Sequence, residues 1–209
     1  MAVDHGGVAS DAEIRRVAAS FAKPDGRRSA LQLITAFGPF LAGCTAMYLV
    51  LPWSWLATLA LAVPTGLLLV RVFIVQHDCG HGSFFASRRA NIWVGRACSL
   101  ITMTPYANWA RQHGLHHADW NNLDRTGGGS DIYSACLTVE EYLALSPGRR
   151  LLYRLPRHPL VANILLPPLV FLVLYRVPFD TPRSWVRERH SVYFTDAALV
   201  AMFGTRGLR

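Results

Sequence analysis

Lysine is nearly missing from this chain. Lys23 is the only one, against twenty arginines. Charge of either sign is scarce: Asp, Glu, Lys and Arg make up 16% of the 209 residues, below the roughly 25% of soluble domains. From Leu31 to Val70 there is no charged residue at all. Such a chain is a poor candidate for an ordinary soluble domain. The four cysteines (Cys44, Cys79, Cys98 and Cys136) show no C-x-x-C spacing, so neither a zinc ribbon nor a disulfide framework is expected. The first twenty-eight residues hold no apolar core, so they are not expected to act as a signal peptide, and the first hydrophobic segment must direct insertion. No internal repeat or low-complexity tract is seen.

What is there is apolar, and it comes in blocks. Hydrophobic residues make up 52% of the chain, and the net charge is +8. The arginine pairs at 15–16, 27–28, 88–89 and 149–150 flank the blocks. That placement suits anionic lipid headgroups and argues against nucleic acid as partner. A bilayer core of about 30 Å needs about twenty helical residues per crossing, so Leu31–Val70 is long enough to cross twice. Pro52, Trp53 and Trp55 in "LPWSWL" mark the turn, since tryptophan favours the membrane interface. A helical hairpin is therefore expected, with both ends on one side. Arginines at those ends assign that side to the cytoplasm by the positive-inside rule. Arg71, near the end of the second helix, can snorkel.

Residues 77–158 are polar overall. "NIWVGRACSLITMTPYANW" reads as an interfacial helix rather than a crossing. "NNLDRTGGGSD" reads as a loop, and "TVEEY" as a helix start with Thr138 as cap and Glu141 three residues on. Pro159–Tyr175 is a second uncharged block, short for a span and interrupted by Pro167–Pro168. It reads as a crossing, with a re-entrant segment as the alternative. A crossing would set "RSWVRER" outside, against the positive-inside bias. A last apolar stretch, "SVYFTDAALVAMFG", contains Asp196.

Five of the eight histidines fall in two clusters. His77 and His81 follow the second expected span, and His113, His116 and His117 come later in "RQHGLHH". On a helix, positions i, i+3 and i+4 share a face. Converging imidazoles suit a borderline transition metal such as zinc, copper, iron or nickel. Either cluster alone is commonly incidental. Both together, each beside an apolar block, point to a metal, because histidine is costly at membrane depth. His5 lies in the tail, and His158 and His190 read as structural or interfacial.

"HDCGHGSFF", "NIWVG", "YANWARQHGLHHADWNNLDRTGGGSDIYSACLTVEEY" and "LLYRLPRHPL" resemble the membrane-bound fatty acid desaturase family, most closely the acyl-lipid Δ12/ω-6 type. The resemblance implies an all-α polytopic membrane protein: a helical hairpin plus one or two further membrane helices, with a cytoplasmic histidine-rich metal-binding cap. Residues 1–29 would be a cytoplasmic tail and 30–209 a single, incomplete desaturase-like membrane domain. It also implies a non-haem di-iron centre, with His77, His81, His113, His116 and His117 as metal ligands and O2 as co-substrate. The substrate would be a membrane lipid acyl chain, and the electron donor a ferredoxin-type or cytochrome b5-type protein. The location would be the plasma membrane of a bacterium. Imidazole ligands need partners for their second nitrogen, and Asp78, Asp119, Asp124 and Asp131 are candidates.

The family carries a third histidine box after a fourth membrane helix, and no histidine follows His190 here. The chain is thus expected to be a truncated form. Two six-coordinate irons offer roughly ten to twelve donor positions, so five histidines serve one iron well or two poorly. The alternatives are an inactive membrane remnant binding one metal or none, and a hydroxylase or ketolase on the same fold.

Overall fold

The computed structural model describes residues 10–21, 23–119 and 136–204. The described residues form helices and connecting turns only. They divide into two compact units, Met1–Val94 and Gly95–Arg209.

In the first unit a short amphipathic helix, α1 (Asp11–Phe21), precedes the hairpin. The hairpin is α2 (Gly26–Val50) and α3 (Trp55–Gly80), joined by a tight turn. Asp25 caps α2 by accepting from the Arg27 and Arg28 amides, and Ser54 caps α3 by accepting from the Ala57 amide. The helices have 25 and 26 residues, and both are apolar enough to cross a membrane. At 1.5 Å per residue they are about 37 and about 39 Å long, enough for a core of about 30 Å. Their outer faces leave Leu31, Ile34, Leu59, Val63 and Leu67 more than half exposed, as lipid-facing residues are. Trp53 and Trp55 stand exposed at the turn. Hydroxyls inside the spans return to the backbone: Thr35 donates to the Leu31 carbonyl, Thr45 to Leu41 and Thr65 to Leu61. This removes the cost of bare polar groups in hydrocarbon. Gly43 lets the helices close, because a Cβ there would lie 2.6 Å from Thr65 Oγ1. Arg71 is expected to snorkel; its Nη2 in fact donates to Thr35 Oγ1 across the hairpin at 3.2 Å.

The hairpin returns both ends to one surface, and a hydrogen bond ties them. Ser29 Oγ, buried at the start of α2, lies 2.6 Å from the Phe84 carbonyl beyond α3. Helix α4 (Arg88–Ile101) begins after a cap in which Ser87 Oγ accepts from the Ala90 amide.

In the second unit, α4 ends at a bend through Met103, whose φ of 56° lies in the left-handed region. A non-glycine residue there needs outside support; the Arg176 guanidinium donates to the Met103 carbonyl. Then comes α5 (Tyr106–Asp119). The expected cap of "TVEEY" is present: α6 (Val139–Ala144) opens with a reciprocal box between Thr138 and Glu141. Helix α7 (Pro147–Arg154) is followed by a broken run. This run has a 3-10 turn at Leu155–Arg157, a π turn at Val161–Leu165, α8 (Leu166–Leu172) and a 3-10 turn at Leu174–Arg176. Pro167 and Pro168 cannot donate and occupy the first turn of α8, where a missing N–H costs least. Pro147–Arg157 and Val161–Arg176 meet at a bend of 57°, so the break falls between Arg157 and Val161 and not at Pro167–Pro168, where the helix continues. Among the described residues two helices are long and apolar enough to cross a membrane, or three if the bent run is one span. The last apolar stretch lies in α9 (Val186–Gly204), with Glu188, Val192, Thr195 and Leu199 on its buried side. That side packs on α5.

Gly95 marks a close approach in this unit: an added Cβ would sit 2.2 Å from the Tyr106 ring. Overpacking of this kind costs about 1–3 kcal/mol. Gly95→Ala should therefore lower the unfolding temperature in detergent by several degrees. Tyr106→Leu in the same chain should restore part of the loss.

Candidate metal centre

Each histidine cluster is built on a helix end, and each is described within its own unit. In the first unit the last turn of α3 carries His77, and His81 is its C-cap residue, its amide donating to the His77 carbonyl. The two rings face each other edge-on with centroids 4.6 Å apart. They offer ring nitrogens within 4.8 Å of one another. His77 Nδ1 lies 3.0 Å from Asp78 Oδ1. With its proton on Nδ1 and donated to the carboxylate, His77 keeps its lone pair on Nε2, the tautomer a metal needs. Asp78 is thus a candidate acid with an imidazole contact. Asp124, Asp131 and the "NNLDRTGGGSD" loop lie outside the described residues, as does His5, and Asp119 closes α5.

The chain leaves α3 by a tight turn. Gly82 adopts φ 70°, its amide donates to the Cys79 carbonyl, and the Ser83 amide and hydroxyl both donate to the Asp78 carbonyl. Asn91 holds this turn from below. It is 2% exposed. Its Oδ1 accepts from the Phe85 amide at 2.9 Å, and its Nδ2 lies within reach of the Gly82, Phe85 and Ser87 carbonyls at 3.3, 2.7 and 3.2 Å. One amide side chain therefore satisfies the loop's backbone while excluding water.

In the second unit α5 carries the other cluster. His113 Nε2 and His117 Nε2 are 3.1 Å apart. Two nitrogens bound to one metal at about 2.0–2.1 Å, at angles of 90–110°, lie about 2.9–3.4 Å apart. The spacing fits a shared ion, and equally a hydrogen bond with one proton between the rings. The His113 ring stacks on Trp109 at 4.8 Å and 14°, and Trp109 is 7% exposed. His116 lies 6.0 Å from His113 and 5.7 Å from His117 by ring centroids. Gly114 does not break the helix.

Helix α9 and the loop before it hold α5. Arg111 Nη1 lies 3.3 Å from Glu188 Oε1, and its guanidinium rests 3.9 Å over the Trp185 ring. Ser191 Oγ accepts from the Ala107 amide, one of the amides at the α5 start that have no helical partner. Thr181 Oγ1 donates to Asn108 Oδ1, and Gln112 donates to Asp180. Arg189 braces the loop by donating to the Pro178 and Thr181 carbonyls. The sequence carries no periodic signal for Glu188, Ser191 or Thr181, because each acts through a distant backbone or side chain, and none for Asn91, whose nearby partners meet it only through the turn at Gly82. His190 lies on α9, and His158 follows the 3-10 turn that ends at Arg157.

Nitrogen donors with a carboxylate behind one ring, at the exit of a hydrophobic hairpin, narrow the choice of family. Residues 52–206 match the family described as fatty acid desaturase. The chain belongs to the fatty acid desaturase family. It is 40% identical over 190 residues to a fatty acid desaturase of Bacillus subtilis (strain 168), covering 91% of this chain and 53% of that protein. It is 36% identical over 84 residues to an sn-1 oleoyl-lipid 12-desaturase of Picosynechococcus, covering 40% of this chain and 24% of that protein. Over 59 residues it is 42% identical to a Synechocystis sn-1 acyl-lipid omega-3 desaturase (ferredoxin), 28% of this chain and 16% of that one. The chain thus spans about half the length of the first relative and less of the others. No solved structure matches it. Within the family, iron and O2 are the general redox equipment, and the imidazole nitrogens here are a donor set that iron accepts.

Two outcomes follow from this geometry. Asn91→Asp keeps the acceptor but removes the donors to the turn after His81, so it should cost about 2–3 kcal/mol in detergent unfolding. The second concerns Cys98, which is fully buried in α4. Burial pushes its thiol up to about 12, against a smaller lowering by a backbone hydrogen bond. It therefore stays protonated at neutral pH and resists thiolate reagents. Iodoacetamide at pH 8 should label Cys98 only after denaturation.

Proposed function

We propose that this chain takes part in O2-dependent desaturation of a membrane lipid acyl chain, with a non-haem di-iron centre held by His77, His81, His113, His116 and His117. The observation that carries the reading is the spacing of His113 and His117 Nε2, 3.1 Å, together with Asp78 against His77 Nδ1 at 3.0 Å. Each puts lone pairs where a cation can take them. When bound, the iron would supply the oxidising power that cleavage of an unactivated C–H bond needs and that no side chain has.

The chain's own residues do the positioning. Asp78 selects the Nε2-ligating tautomer of His77. Trp109 sets the His113 ring plane by stacking. The hairpin delivers His77 and His81 to the surface where an acyl chain leaves the bilayer. The bilayer, in this reading, is the plasma membrane of a bacterium, with the histidines on its cytoplasmic face. Electrons come from an external ferredoxin-type or cytochrome b5-type donor. The names of the cyanobacterial relatives support an acyl-lipid substrate, and one names ferredoxin.

A second reading has a donor count behind it. Five clustered histidines furnish one iron well and two poorly, so the chain alone would bind one metal or none. Iron analysis of the purified full chain separates the two. About two irons per chain are expected, and fewer than one would sink the di-iron reading. Asp78→Asn should weaken iron binding by roughly ten- to a hundredfold while leaving the unfolding temperature unchanged. Asp124→Ala with unchanged iron content would remove that residue from the set. Fatty-acid analysis of expressing cells, with the Bacillus relative as positive control, should show a new double bond; a hydroxylated or oxo product instead would mean the sister chemistry.

A further inference from the structure

Helix α1 (Asp11–Phe21) carries an apolar face that stands more than half exposed. It has 11 residues, and an isolated helix of that length is marginal in water unless such a face is covered. Ile14, Val17 and Phe21 form the face. At about 100° per residue their side chains fall within about 60° of arc. They are 53, 57 and 83% exposed. Ala12 and Ala19 lie on the opposite side, and Arg15 and Arg16 lie about 130° from the middle of the face. Glu13, on the flank, is turned back to the helix start, where its carboxylate accepts from the Ser10 amide and hydroxyl.

Distance and charge say what covers this face. Leu31 on α2 is 61% exposed, as a lipid-facing residue is. Gly26, at the start of that helix, lies about 7.5 Å further out along the axis, at the edge of a headgroup layer about 5–7 Å deep. Residues 22–25 join Phe21 to Gly26 and span at most about 18 Å. Helix α1 is therefore tethered beside the headgroups. From Ser10 to Arg28 there are five bases and three acids. Two of those acids are engaged within the chain: Glu13 at Ser10, and Asp25 at the amides of Arg27 and Arg28. A basic segment with an apolar stripe, held at a membrane surface, fits anionic lipid. A soluble acidic partner would suit the charges but leave the stripe in water. We propose that α1 is an interfacial anchor that lies flat on an anionic bilayer, with Ile14, Val17 and Phe21 among the upper acyl chains. Arg15 and Arg16 are long enough to bend back to the lipid phosphates. The stripe runs from Ile14 to the last residue of the helix, so only a flat orientation buries all three side chains. The segment expected to be a cytoplasmic tail thus holds the start of α2 from the membrane surface. Neither iron nor the histidines enters into this contact.

The test uses the full chain with Cys44 and Cys136 replaced by Ser, since Cys79 and Cys98 are buried. It is reconstituted in vesicles of mixed phosphatidylcholine and phosphatidylglycerol. One new cysteine at a time carries the fluorophore NBD: Ile14→Cys, Val17→Cys or Phe21→Cys on the stripe, and Ala12→Cys or Ala19→Cys opposite. The readouts are quenching by phosphatidylcholine with a nitroxide high on its acyl chain, and quenching by iodide in the water. Lipid quenching at 14, 17 and 21 should exceed that at 12 and 19 at least threefold, with iodide giving the reverse order. In vesicles of phosphatidylcholine alone, or with Arg15→Gln/Arg16→Gln, lipid quenching at 17 should fall at least twofold. Equal lipid quenching at all five positions would overturn the proposal. So would a stripe open to iodide, which would leave α1 in water, or a stripe shielded from both quenchers, which would mean a protein cover. Quenching that is the same without phosphatidylglycerol and in the double variant would overturn the anionic surface. Stripping iron with a chelator should leave the pattern unchanged, so a failed metal assay and a failed anchor assay are told apart.

Discussion

Hydrocarbon tolerates no unpaired backbone polar group, and the first unit is shaped by that constraint. It leaves helices as the only form for the uncharged stretch and makes two matched lengths fold back as a hairpin. The hydroxyls within the spans are then returned to carbonyls one turn back. Arg71, the charge in α3 that precedes its last turn, donates to Thr35 of the facing helix. The polar residues that cannot be satisfied in lipid collect in the last turn of α3 and just past it, and His77, Asp78 and His81 are among them. Their position follows from the length of α2 and α3 as much as from their own chemistry.

Beyond the membrane the problem changes from avoiding polar groups to pairing them. The turn after His81 has many amides and carbonyls in little space, and Asn91 answers four of them with one side chain. The second unit follows the same logic. Its buried residues include Ser99, Thr102, Thr104, Asn108, Thr181, Glu188 and Thr195. Among them, Glu188 accepts from Arg111 and Thr181 donates to Asn108, which holds α5 to α9 and the loop before it and orients the helix that carries His113, His116 and His117. Such a scaffold is less tolerant of loss than an apolar one, since a deleted partner leaves a buried group bare.

Rigid imidazoles matter because a metal site is only as good as the geometry presented to it. The His77 ring is turned by a carboxylate and the His113 ring by an indole. Both supports sit on the same helices as the ligands they serve, one residue away in α3 and one turn away in α5. Local positioning of this kind keeps each cluster ordered by its own helix.

The sequence by itself determined the elements governed by local composition and period. The two spans and their tryptophan turn, the Thr138–Glu141 cap, and the helical spacing of both histidine pairs are all visible in runs of a few residues. Apolar length, cap chemistry and an i, i+4 interval need no distant partner. Tertiary structure decided the rest: the bend at Met103 under Arg176, the bend between Arg157 and Val161 rather than at Pro167–Pro168, the clamp by Asn91, and the seating of Arg111 on Glu188 and Trp185. Asn91 and its carbonyls are neighbours only because Gly82 turns the chain back. Arg111 and Glu188 are 77 residues apart. Such contacts have no period to read, because their energy comes from burying polar groups together, and that exists only once the chain has folded.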